Sequence, residues 1–110
     1  MPRDFKLLLK DILDAINKIE KYSKGLSFPR LENDDQAVDA IVRNLEIIGE
    51  AARNLPDEIK LSIAGIEWKK ITGLRNILAH EYFGINKQIV WDIIQNKLLP
   101  LKSACGKMVE

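Results

Sequence analysis

The stretch NDDQAVDAIVRNLEIIGEAARNLP, residues 33–56, decides the fold class. Asn33, Asp34 and Asp35 place short polar side chains where the free N–H groups of a helix start need acceptors. Val38, Ile41, Leu45, Ile48 and Ala52 then recur at steps of three and four, and Ala37, Ala40, Ile47 and Ala51 widen the stripe. A helix apolar over more than half its circumference sits centrally and contacts neighbours on two sides. Leu55-Pro56-Asp57 closes it, because a proline disfavours helical backbone in the residue before it.

The same period extends both ways from this segment. From about Arg3 to Ser23, Phe5, Leu8, Ile12, Ile16 and Ile19 form one stripe, widened by Leu9, Leu13 and Tyr22. Lys24-Gly25-Leu26 stops that helix, since glycine readily takes the left-handed conformation past a last turn. Leu26 to Asn33 reads as a connecting loop, and residues 57–66 add a short turn of helix. A third helix is predicted over Trp68 to His80, broken by Gly84-Ile85-Asn86. A fourth runs from about Lys87 to the C-terminal region, with Ile89, Val90, Ile93, Ile94, Leu98 and Leu101 inward. Pro100 within that pattern predicts a kink or break near Lys97. The fold expected is all-α: an antiparallel bundle of four main helices in a single domain, residues 1–110.

Composition agrees. The 110 residues are 46% hydrophobic and 30% charged, which excludes wholesale disorder. Few glycines and prolines disfavour an all-β fold. Seventeen Lys and Arg against sixteen Asp and Glu leave +1, so there is neither a strongly basic coat nor an acidic tail. The single cysteine makes no internal disulfide and fits a reducing compartment. No run approaches the ~18 apolar residues of a membrane span. Charges at Arg3, Asp4, Lys6, Lys10 and Asp11 interrupt any signal-peptide core, so a cytoplasmic protein is expected. A core this small would gain from burial against a second copy.

The chemistry-bearing stretch is residues 73–84, GLRNILAHEYFG. Winding at about 100° per residue from Arg75 puts Ile71, Leu74, Ile77 and Leu78 on the core side. Arg75, Thr72, Ala79, Asn76, His80 and Gly73 share the opposite face. Asn76 and His80, four apart, can touch directly, and Tyr82 returns to the Arg75 side if helical winding persists that far. Small residues between them let another surface come close. A guanidinium matches phosphate oxygens in a planar fork, and an imidazole moves protons near neutrality. Together they suffice for metal-independent RNA cleavage, in which the 2′-hydroxyl attacks the adjacent phosphate and leaves a 2′,3′-cyclic phosphate. One imidazole serves poorly as both base and acid; a two-fold dimer supplies two. The bland alternatives stand beside this reading. A lone helical histidine is commonly structural, Arg75 could pair with Glu81 or Glu50, and Tyr82 could be a core residue with its hydroxyl at the rim.

Arg75-Asn76-Ile77-Leu78-Ala79-His80-Glu81-Tyr82 resembles the R-x4-H-x-Y motif of HepT-like toxins, a branch of the HEPN superfamily. Further blocks extend the resemblance from roughly Phe5 to Lys102. Leu45 to Ala52 is similar to the second-helix signature, and Trp68 to Ile71 precedes the motif as in the family. Tyr82 to Ile85, Ile89 to Trp91 and Leu98 to Leu101 resemble the C-terminal part. The resemblance implies a HEPN-like homodimer whose two motifs meet in a cleft. It implies a metal-independent endoribonuclease, the toxin of a type VII-like toxin–antitoxin pair, with Arg75 and His80 catalytic, Asn76 as helper and no cofactor. It also implies a partner antitoxin with a minimal nucleotidyltransferase fold that moves AMP from ATP onto Tyr82. Phosphates there would repel RNA and occupy the arginine. The near-neutral charge leaves RNA affinity to a local patch, for which Lys69, Lys70 and Arg75 of two subunits are the candidates.

The competing reading is a non-catalytic helical module that binds a nucleotidyltransferase or a nucleotide with the same face. A third is a bundle whose polar stripe only cements a homodimer. Among other residues, Cys105 reads as inert near a frayed end, and Trp68 and Trp91 as core or interface. Glu46 and Glu50, four apart, more readily pair with basic residues or solvent than hold a metal. Lys69-Lys70 is either a solvated pair or a phosphate contact.

Overall fold

The computed structural model describes residues 4–63, 65–74 and 86–109, and among them every regular element is a helix. α1 spans Phe5–Ser23 and is capped by Asp4, whose carboxylate accepts from the Lys6 N–H at 2.9 Å. It ends at Lys24, followed by Gly25 at φ +77°, a conformation glycine adopts without the Cβ penalty. α2 is a single short turn, Phe28–Glu32, where a loop was expected. The sequence there carries a capping serine, Ser27, and a proline in the first turn, Pro29, which together favour a helix start. Leu31 on α2 is wholly buried, so this turn plugs the core.

α3, Asp35–Asn54, is the central helix, and Asp34 caps it by accepting from the Ala37 N–H at 3.0 Å. It packs along α1 on one side and against α2 and α5 on others, so the two-sided burial read from its stripe is what the structure shows. Ile47 is the exception: it is exposed, as is Tyr22 on α1. α4, Asp57–Ser62, realises the short helical turn expected after Pro56.

α5 covers only Trp68–Thr72, because Gly73 caps it at φ −86° and ψ 1°. The uninterrupted helix predicted from Trp68 to His80 is therefore corrected: a turn at Gly73 separates α5 from Leu74. A glycine is the weakest ordinary residue for holding a helix interior, and here it ends one. Arg75, expected on one face with Thr72 and Gly73, lies outside the described residues.

The C-terminal helix winds on without a break. α6, Lys87–Asp92, passes into a π turn, Ile93–Lys97, and then into α7, Leu98–Val109. The kink or break expected near Lys97 is replaced by a change of winding, with the Leu98 N–H donating to the Ile93 carbonyl five residues back. Val90, Ile93, Leu98, Leu101 and Cys105 are all buried, in steps of three, five, three and four. A five-residue step would swing a regular helix about 140° off its face; the wide turn absorbs it. Pro100, which cannot donate to an intrahelical bond, is the third residue of α7.

One core joins these elements, with Leu9, Ile12, Ile16, Ile19, Ile41, Leu45, Ile48 and Leu101 among its fully enclosed side chains. Lys102 on α7 bridges to Glu20 on α1 at 2.9 Å, and Phe28 meets Trp91 edge-on with ring centroids 6.0 Å apart. Cys105 lies inside α7 and is fully buried, not at a frayed end. No helix among the described residues is long and apolar enough to cross a membrane.

Candidate active site

Arg75, Asn76, His80 and Tyr82 lie outside the described residues. What the structure establishes is how the chain is held on either side of them. On the N-terminal side, Ile71 and Leu74 are buried and press on α3 where Gly49 faces them. A Cβ at Gly49 would stand 3.2 Å from the Ile71 carbonyl oxygen and 3.8 Å from the Leu74 Cβ. Absence of a side chain there lets α3 and the α5 end approach closely. Trp68 pins the start of α5, its indole Nε1–H donating to the Lys60 carbonyl of α4 at 3.0 Å.

On the C-terminal side, Asn86 caps α6 by accepting from the Gln88 and Ile89 N–H groups at 3.0 and 3.2 Å. Lys87 then reaches across to the end of α2 and the start of α3. Its Nζ donates to the Glu32 carbonyl at 2.7 Å and lies 3.5 Å from the Asp35 carboxylate. Residues 75–85 are thus bracketed by two anchors that grip opposite halves of α3. Neither anchor was legible as such: Gly49 appeared only within a signature, and no sequence signal announces the bonds from Trp68 to the Lys60 carbonyl and from Lys87 to the Glu32 carbonyl.

Two concavities flank α5. One, about 410 Å³, lies between α5 and the C-terminal helix, walled by Ile71, Leu74, Ile93 and Leu98 with Lys70, Asp92 and Asn96 at its rim. The π turn supplies part of that wall. The other, about 450 Å³, is a groove lined by Asp57, Lys60, Leu61, Trp68, Lys69 and Thr72. The two lysines of the expected basic patch differ in state. Lys70 is bridged to Glu67 at 2.9 Å, and its hydrogen bond and charge, with Lys97 adding, hold the Glu67 carboxyl below its usual range. Lys69 is exposed and has no ion pair among the described residues. Glu46 and Glu50 are exposed, and no cluster of three or more metal-ligating side chains occurs among the described residues.

The model of the family described as "Ribonuclease HepT-like" matches residues 12–108. The chain belongs to the HepT-like ribonuclease family. Curated relatives agree. A Methanocaldococcus jannaschii protein named as a candidate RNase is 38% identical over 99 residues, covering 89% of this chain and 82% of the relative. Another so named, from Caldanaerobacter subterraneus subsp. tengcongensis, is 37% identical over 102 residues, covering 93% and 91%. A Thermococcus cleftensis protein named as a probable ribonuclease HepT is 33% identical over 108 residues, covering 98% of each. No solved structure matches significantly. The matched span contains the whole R-x4-H-x-Y segment, Arg75 to Tyr82, together with both anchors, and the all-α architecture is that expected of a HepT-like chain.

Proposed function

We propose that this chain is a metal-independent endoribonuclease that works as a homodimer, with Arg75 and His80 catalytic and Asn76 holding the imidazole. The observation that carries the proposal is a family match whose span, residues 12–108, includes the segment between the two anchors. In the reaction, the ribose 2′-oxygen attacks the neighbouring phosphorus as an imidazole takes its proton. The bond to the 5′-oxygen breaks, and that oxygen leaves with a proton from an imidazolium. The guanidinium of Arg75 stabilises charge building on the phosphoryl oxygens. Two subunits supply two imidazoles, so base and acid need not be one group. A 2′,3′-cyclic phosphate and a free 5′-hydroxyl are the products.

Control is by tyrosine modification. A minimal nucleotidyltransferase antitoxin delivers AMP from ATP to the Tyr82 phenolic oxygen, with pyrophosphate leaving. The added phosphate then competes with RNA for Arg75. The test compares RNA cleavage by the purified chain and its His80→Ala variant. Cleavage by the first alone, with cyclic phosphate ends, supports the proposal; equal degradation by both, or none by either, removes it. Intact mass after co-expression with a candidate minimal nucleotidyltransferase antitoxin reads the second half. Increments of AMP that vanish in Tyr82→Phe support it, and an unchanged mass refutes it.

A further inference from the structure

The groove between α4 and α5 combines three features that the catalytic reading leaves unused. Trp68 is half-buried: part of its ring packs on the core, and part lines the groove. Its Nε1–H is already committed to the Lys60 carbonyl, which locks the ring plane and leaves no polar group of the indole in need of a partner. Facing it, Leu61 projects almost wholly into solvent at 85% exposure, forming an apolar lip. Lys69 stands beside the ring without a carboxylate partner among the described residues. Lys60, by contrast, is 4.0 Å from Asp57, so Lys69 is the one lysine of the groove without a carboxylate partner among the described residues.

The geometry points to this groove as a subsite for one unpaired nucleotide of single-stranded RNA, its base stacked on Trp68 and its phosphate on Lys69. A rigid indole beside a cation is the pairing that holds single strands without reading sequence, because every base offers a π face. A double helix would not fit that description, since its bases are already stacked on one another. Leu61 shields the free edge of the base from water. The groove belongs to α5, whose far end leads through Gly73 and Leu74 to Arg75, so a strand held there is led towards the segment that cleaves it. This inference rests on the proposed ribonuclease activity for its purpose, but its test reads binding alone.

The experiment uses the full chain carrying His80→Ala, to prevent cleavage, and Trp91→Phe, so that Trp68 is the one fluorophore of its kind. A short single-stranded oligoribonucleotide should quench Trp68 emission on binding. The same oligonucleotide with abasic sites keeps its phosphates and should bind without quenching, on the order of tenfold more weakly. Lys69→Ala should reduce affinity and lower the slope of log affinity against log salt by about 0.7, one phosphate contact on a single strand. Trp68→Leu, checked for folding by circular dichroism, should bind the intact and abasic strands alike. RNA that binds by anisotropy without quenching Trp68, or abasic strands that quench equally, overturns the subsite and leaves the ribonuclease proposal standing. Absence of any RNA binding overturns the subsite too, and absence of cleavage by the unmodified chain independently removes the ribonuclease reading.

Discussion

Replacing Gly49 tests whether the close approach of α3 to the end of α5 positions the segment proposed as catalytic. Two effects oppose each other in Gly49→Ala. Helix propensity in the middle of α3 favours alanine by about 0.8–1 kcal/mol. Against it, the new Cβ would lie 3.2 Å from the Ile71 carbonyl oxygen, a contact that requires the neighbour to retreat by a few tenths of an ångström. That neighbour is backbone, with Ile71 and Leu74 buried beside it and Trp68 tied to α4, so it has little room to yield. The propensity gain is therefore cancelled, and the melting temperature stays level or falls by a few degrees. Gly49→Val adds two further carbons at the same point, for which overpacking costs about 1–3 kcal/mol, on the order of 4–12 °C in a domain of this size. RNA cleavage should drop more steeply than stability in both variants, because displacing Leu74 moves the residue that follows it. Thermal melts by circular dichroism, with cleavage assayed well below the melting point, measure both. A rise of about 4 °C for Gly49→Ala, the full propensity gain, would show that the approach is not tight and refute the reasoning.

Leu101→Ala removes a fully buried side chain from α7 and should cost about 2–5 kcal/mol, read as a lower urea midpoint with an unchanged slope. Lys87→Met should cost about 1 kcal/mol through the lost bond to the Glu32 carbonyl, while Asp35→Asn should cost less than about 0.5, because that carboxylate is 89% exposed. Burial pushes the Cys105 thiol up to about 11 from 9.0. The unfolded thiol ionises first as pH rises, so this contribution to stability is intact below pH 9 and is lost between about pH 9 and 11. Melts from pH 8 upward should therefore fall faster for the native chain than for Cys105→Ala, and parallel curves would contradict the assignment.

The long helices were legible because their signals are local and redundant. α3 carries an acidic cap, five apolar residues in phase and a proline stop, and each points the same way. α2 escaped notice because a five-residue helix has no room for a period; only its serine and proline mark it. The division of α5 at Gly73 was hidden for the opposite reason, as Ile71 and Leu74 keep a helical spacing across the turn and both remain buried. At the site, the motif residues could be named from their pattern, but the devices that hold their flanks could not. The Lys87 bond to Glu32 and the contact of Gly49 with Ile71 join residues far apart in sequence, and their partners are backbone atoms, which impose no residue identity to read.

The wide turn at Ile93–Lys97 has a bearing on how this chain aligns with shorter or longer kin. It accommodates one residue more than regular winding would between Ile93 and Leu98. Deleting Gln95 would convert a five-residue step into a four-residue one, which ordinary winding carries on the same face. Leu98, Leu101 and Cys105 would keep their inward orientation, and a single-residue length difference at this point would leave everything downstream in phase. A gap placed there is structurally silent, whereas one placed two turns later, between Leu101 and Cys105, would turn Cys105 by about 100° from its present direction, with no wide turn to absorb it.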